Sequence, residues 1–144
     1  MMRRVMLVLA AMASPLAAQN APSRFEAART APLAIGQWTY AATPTGSEAR
    51  LGARLIIRCD RIQRRVALRR IEMITATPPP AMIVTTDLGT HTVPVGGTVA
   101  NTDRLLDAIA FSRGRFVVEG GGSNLSLVAP TSPEAARTIE DCRN

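Results

Sequence analysis

The sequence predicts an α+β, β-rich fold: a small β-sandwich or curled antiparallel sheet with one short internal helix and a C-terminal helix. Three observations point there. Short runs rich in β-branched residues alternate with period two and are separated by Gly, Pro and Asn clusters suited to turns. Two segments combine helical spacing with a capping residue just ahead of them. The aromatic complement is small, with Trp38, Tyr40, Phe25, Phe111 and Phe116, so a core must come from Ile, Leu, Val and Ala. At 144 residues, 47% hydrophobic and 19% charged, the chain is too apolar for disorder.

Residues 1–18 have the three parts of a secretory signal peptide: Arg3 and Arg4, an apolar run over 5–13, and small residues leading to Ala18, near which cleavage is expected. An uncleaved anchor is the alternative, but the apolar run is about half the length of a spanning helix. The mature chain is therefore expected to lack a transmembrane segment and to work in the periplasm or outside the cell. Residues 19–34, rich in Ala, Pro and Ser, read as a loose, flexible N-terminal segment. Residues 35–144 read as a single β-rich domain of ordinary size.

Residues 35–42 form the first expected strand. Trp38 and Tyr40 share one face there, as core or edge plugs in preference to a ligand-stacking pair. Residues 43–46 have turn chemistry. Residues 50–74 hold eight Arg and admit two readings. On a helix, Arg50, Arg54, Arg58, Arg61, Arg65 and Arg69 would form a basic stripe opposite Leu51, Leu55, Ile62 and Val66. On a hairpin, Leu55, Ile57 and Cys59 would face in with Val66 and Leu68, while Arg54, Ile56, Arg58, Arg65, Ala67 and Arg69 face out. The β-branched Ile56, Ile57, Ile62, Val66 and Ile71 favour the hairpin.

Pro78, Pro79 and Pro80 impose an extended linker. Residues 82–86 and 90–95 flank Asp87, Leu88 and Gly89 as a second hairpin, with Pro94 placing its second strand at an edge. Asn101 and Thr102 can cap a helix over 103–112, which Gly114 ends. Residues 115–119 and 125–128 alternate around Gly120, Gly121 and Gly122 as a third hairpin. Ser132 caps a closing helix over 134–142, with Pro133 at its first position.

Signals for catalysis are weak. His91 is the only histidine, and no Ser stands in a Gly-x-Ser-x-Gly elbow beside it. Asp103 and Asp107 are one helical turn apart and read as a helix-start charge and a solvated face. The glycines at 120–122 do not lead from a strand into a helix as a phosphate-binding loop would. Two Cys and one His cannot make a zinc site, so neither a metal nor a cofactor is expected. Cys59 and Cys142, an even pair in an oxidising compartment, read as one disulfide, with two buried thiols or a redox pair as the alternatives.

Charge is concentrated. All 17 basic residues are Arg, a bias that suggests a GC-rich bacterial genome. Residues 50–70 carry a formal +7, against about −3 for the rest of the mature chain. The outward Arg54, Arg58, Arg65 and Arg69 are the expected binding face for an anionic partner: an envelope protein, an anionic lipid or a glycan. Nucleic acid is not expected, given export and the lack of interleaved aromatics. The bland alternative is a solvated sheet face.

Three stretches carry a resemblance: Leu-Ile-Ile-Arg-Cys-Asp at 55–60, the run at 103–119 beginning Asp-Arg-Leu-Leu-Asp, and Ala-Ala-Arg-Thr-Ile-Glu-Asp-Cys at 135–142. In this order the chain resembles small, uncharacterised exported bacterial proteins and, more distantly, the VasI-like periplasmic accessory proteins associated with type VI secretion. The resemblance implies a small β-rich fold with Cys59 joined to Cys142, and implies no catalytic residue. The functional expectation is an exported, non-enzymatic accessory or binding module of the cell envelope. Alternatives are a periplasmic hydrolase with an unidentified site, and a protein or protease inhibitor presenting the Pro-rich loop at 77–81.

Overall fold

The structure, a computed structural model, describes residues 24–72 and 79–144. The expected signal peptide, residues 19–23, the end of the 50–74 stretch, and Thr77 and Pro78 of the Pro-rich loop lie outside the described residues. The elements run α1 (Arg24–Ala28), β1 (Trp38–Thr43), β2 (Gly46–Leu51), β3 (Leu55–Asp60), β4 (Arg65–Arg70), β5 (Met82–Thr86), β6 (Gly89–Val93), β7 (Thr98–Ala100), α2 (Arg104–Phe111), β8 (Arg115–Gly120), β9 (Ser123–Pro130) and α3 (Pro133–Asp141). The strands form two antiparallel sheets, ordered β1-β2-β3-β4-β7 and β6-β5-β8-β9, and neither closes into a barrel. This is the β-rich α+β fold expected, with three short helices where two were expected. Among the described residues no helix is long and apolar enough to cross a membrane.

The Arg-dense stretch is a hairpin. Leu55, Ile57 and Cys59 are buried on β3, as are Val66 and Leu68 on β4, while the residues between them face out. The turn at residues 61–64 closes because Asp60 Oδ1 accepts the Gln63 amide at 2.9 Å and Arg64 adopts a φ of 54°. Asp and Asn side chains stabilise turns by this kind of bond to a backbone amide just ahead. The second hairpin forms as expected, and β6 is an edge strand followed by Pro94.

Both longer helices start on side-chain caps. Ser132 accepts the Ala135 amide at 3.1 Å, with Pro133 first in α3. On α2 the cap is Asp103, one residue beyond the expected pair, and it accepts the Leu105 amide at 2.8 Å. Asn101 is buried and donates from Nδ2 to Cys142 O at 2.7 Å, tying the start of α2 to the chain's end.

One hydrophobic core is shared by the inner faces of both sheets, by α2 through Leu105, Leu106 and Ile109, and by α3 through Ala135 and Ile139. Helix α3 lies against β1, β2 and β3, and α2 links it to β5. Cys59 on β3 is joined to Cys142 at the end of α3, with Cα atoms 5.4 Å apart. The bond ties α3 to the sheet it covers.

Three elements differ from the sequence reading. β2 and the three-residue β7 complete the first sheet around the Arg hairpin. Residues 24–28 of the segment read as loose form a helical turn on the outer face of the second sheet, where Ala28 and Ala31 cover Val117 and Val128. Arg24 Nη1 meets Glu119 Oε2 there at 2.8 Å, and the Ala34 amide donates to Val128 O at 2.8 Å. Five residues cannot hold a helix alone, so this turn exists because the sheet face offers apolar surface.

Candidate functional site: the arginine face

Register decides which arginines stand together. Arg50 on β2 is opposite Ile56 on β3, which is opposite Arg69 on β4. Glu48, Arg58 and Ala67 make the next outward row, with Thr98 of β7 beyond Ala67. Gly46, Asp60 and Arg65 make the third. Arg65 and Arg69 are therefore both diagonal neighbours of Arg58 on the same face, at about 7 to 8 Å between Cα positions. Arg58, Arg65 and Arg69 form one cluster in the middle of the sheet.

Partners divide this cluster. Glu48 accepts from Arg50 Nη2 at 3.0 Å and lies 3.7 Å from Arg58 Nε, so one carboxylate faces two guanidinium groups. Asp60 is engaged by the Gln63 amide of its own turn. Arg65 and Arg69 are exposed and have no carboxylate within salt-bridge distance among the described residues. With four arginines against Glu48 and Asp60, the face carries a net +2. A shallow basin of about 330 Å³ lies on it, with Arg58, Arg65, Asp60, Gln63, Thr45 and Thr98 on its walls.

Arg54, the remaining residue of the expected set, stands just before β3 at the margin of this face. Its Nη1 donates to Glu72 Oε2 at 2.8 Å. Glu72 also holds Arg70, which points inward: its side chain is 2% exposed, its Nη1 donates to Leu125 O at 2.6 Å and Gly120 O at 3.2 Å, and its Nε donates to Glu72 Oε1 at 2.9 Å. Partial burial works to raise the Glu72 pKa, but hydrogen bonds from Arg54 and Arg70 and their charges outweigh it and hold the carboxyl below its usual range. Arg70 thus fastens the first sheet to the β8–β9 hairpin.

The sequence reading did not place Arg50 on the face, because it did not see β2. The signal was there, since Ser47, Ala49 and Leu51 alternate with Glu48 and Arg50. Thr45, Gln63 and Thr98 enter the basin through turn geometry and β7, for which the sequence has no pattern.

The other residues singled out in the sequence are spread over the fold. His91 is half-buried on β6 opposite Val84. Asp87 accepts the Arg113 amide at 3.3 Å and lies 3.7 Å from its Nε. Asp103 caps α2, and Asp107 meets Arg143 Nη1 at 2.7 Å. Trp38 Nε1 donates to Pro130 O at 2.8 Å, and Tyr40 donates to Asp141 Oδ2 at 2.7 Å while Arg137 stacks over its ring at 4.1 Å. These two aromatics are anchors for α3 and β9. Among the described residues no three His, Cys, Asp or Glu side chains come together as metal ligands would. Set against family models, curated proteins and solved structures, the chain matches none of them.

Proposed function

We propose that the protein is an exported, non-enzymatic accessory or binding module of the bacterial cell envelope, which meets an anionic partner through the outer face of β2, β3 and β4. The observation that carries this reading is the pair Arg65 and Arg69, exposed beside Arg58 on one outer sheet face and without carboxylate partners among the described residues. A guanidinium on a fixed strand presents a planar fork of donors suited to carboxylate or phosphate oxygens. The Cys59–Cys142 disulfide agrees with an oxidising compartment outside the cytoplasm. A secretion-system setting, as for the VasI-like proteins that the sequence resembles, belongs to the same proposal.

The test is photo-crosslinking in intact cells with a photoreactive residue in place of Arg65, and a control at the exposed Thr92 on β6. The reading expects a discrete adduct from position 65, absent at 92 and lost when Arg58→Glu and Arg69→Glu are introduced beside it. A protein adduct would establish the accessory role; a lipid or glycan adduct would establish envelope-surface binding. No adduct at 65, or the same adducts at both positions, would leave the arginines as a solvated surface and overturn the proposal.

A further inference from the structure

Away from the arginine face, a cleft of about 800 Å³ opens between α1, the β5–β6 turn and the start of β8. Its walls are of two kinds. Phe111 and Leu88, 66% and 62% exposed, stand there with the half-buried Phe25. Exposed apolar side chains scattered singly need no explanation, but three large ones lining one cavity mark a place where apolar surface can be covered.

The second wall is cationic. Arg29 is matched by Glu26, at 3.1 Å, and Arg113 by Asp87, at 3.7 Å. Arg115 has no carboxylate within salt-bridge distance among the described residues. Its Nη1 donates to Ala28 O at 3.0 Å and Ala31 O at 2.8 Å, so the guanidinium is held in place by backbone before anything binds. The cleft carries one surplus positive charge on a preorganised side chain, and preorganisation lowers the entropic cost of binding. The hydroxyls that line it are occupied: Thr85 and Thr90 bond each other at 3.3 Å, and Thr86 Oγ1 donates to Gly89 O and accepts from the Leu88 amide. The free donors of this lining are therefore guanidinium N–H groups, which favour an anionic head over a neutral peptide backbone or sugar.

We propose that this cleft binds a small amphipathic organic anion, with a single carboxylate or sulfonate head against Arg115 and an aliphatic or aromatic body along Phe25, Leu88 and Phe111. The volume lies in the range of small-molecule sites, and apolar side chains beside a fixed polar anchor are the usual elements of such a pocket. The proposal does not depend on the arginine face.

The test is an amide-resolved NMR titration of the mature, disulfide-bonded protein with 4-phenylbutyrate and decanoate, and with 4-phenylbutanol as the uncharged control. The expected result is saturable shifts at the amides of residues 85–90 and 111–115, with a Kd of about 1 mM or tighter and binding of the alcohol weaker by about tenfold or more. Arg115→Gln should weaken the anions to the level of the alcohol. Because that change also frees the residue 28–31 carbonyls, the surface substitution Phe111→Ser is the second variant, and it should weaken carboxylate and alcohol alike. Shifts centred on Arg58 and Arg65, no saturable shifts, equal affinity for alcohol and acid, or indifference to Phe111→Ser would each overturn the proposal.

Discussion

Arg69 and Arg70 are adjacent on β4 and chemically identical, yet the fold gives them opposite work, so the pair measures how well the packing is understood. Arg69→Ala removes an exposed side chain with no carboxylate partner among the described residues and should change stability by less than about 0.5 kcal/mol. Arg70→Ala removes a guanidinium that is 2% exposed, leaving Glu72, 13% exposed, with Arg54 alone and the Gly120 and Leu125 carbonyls without their donor. Breaking a buried pair by deleting one member costs about 3 to 5 kcal/mol, and the stranded carbonyls are part of that cost. With a urea m-value of about 2 kcal/mol/M for a domain of this size, the midpoint should fall by about 1.5 to 2.5 M. Urea unfolding of both variants, followed by far-ultraviolet circular dichroism, is the assay. If the two midpoints agree within about 0.3 M, the clamp between the sheets does not exist as described.

The other expectations follow from single contacts. Replacing Cys59 and Cys142 by Ser opens a loop spanning 83 positions, and the chain-entropy model puts the loss at about 4 to 5 kcal/mol. An unchanged thermal midpoint in this variant, or under reductant, would contradict the staple. Asp141 is held below the usual range, against partial burial, by the Ser47 hydroxyl, which makes no hydrogen bond of normal geometry, by the Tyr40 phenol, which donates to it at 2.7 Å, and by the charges of Arg137 and Arg61, and Glu72 is also lowered. For carboxyls so depressed, the stabilisation is complete above the ordinary pKa of about 4 and is lost as pH falls through the lower folded values. Urea midpoints taken from pH 6 to pH 2 should therefore fall less steeply in Glu72→Gln and Asp141→Asn than in the parent; parallel curves would refute the assignment. At Gly46 an added Cβ would stand 2.3 Å from Cys59 O and 3.1 Å from its Sγ, so Gly46→Ala should destabilise by about 1 to 3 kcal/mol in the same assay. A neutral result there would mean that β2 and β3 are not as close as drawn.

What was legible in the sequence followed from repetition of pattern. The β3–β4 hairpin alternates over six residues on each side, with β-branched and leucine positions inward, and a strand of that kind has one sensible register. The disulfide was legible because two cysteines allow one pairing. β2 was harder, since Gly46, Ser47, Glu48 and Ala49 are all poor strand formers. Its place comes from the partner strand, where a side chain at position 46 would meet the Cys59 carbonyl. Arg70 continues the inward alternation of Val66 and Leu68, although arginine is among the residues least often buried. Its partners, Glu72, Gly120 and Leu125, come from a turn and a hairpin up to 55 positions away. Three of the four arginines expected to act together do share one face; Arg54 stands at its edge because a distant carboxylate claims it.

The two outer sheet faces are made compatible with water in different ways. Both sheets bury one side in a common core, so each has a second side that must be covered or made polar. The second sheet is covered by its own chain, with Ala28 and Ala31 over Val117 and Val128. Among the described residues no element covers the outer face of the first sheet, which is tiled by long side chains whose aliphatic stems can shield the half-buried Ile56 and Ala67 while their guanidinium groups reach water. Solvation alone would be met equally by charges of both signs, as Arg50 and Arg58 around Glu48 illustrate. Arg65 and Arg69 go beyond that requirement: without carboxylate partners among the described residues, they give this face the surplus positive charge on which the proposed binding rests.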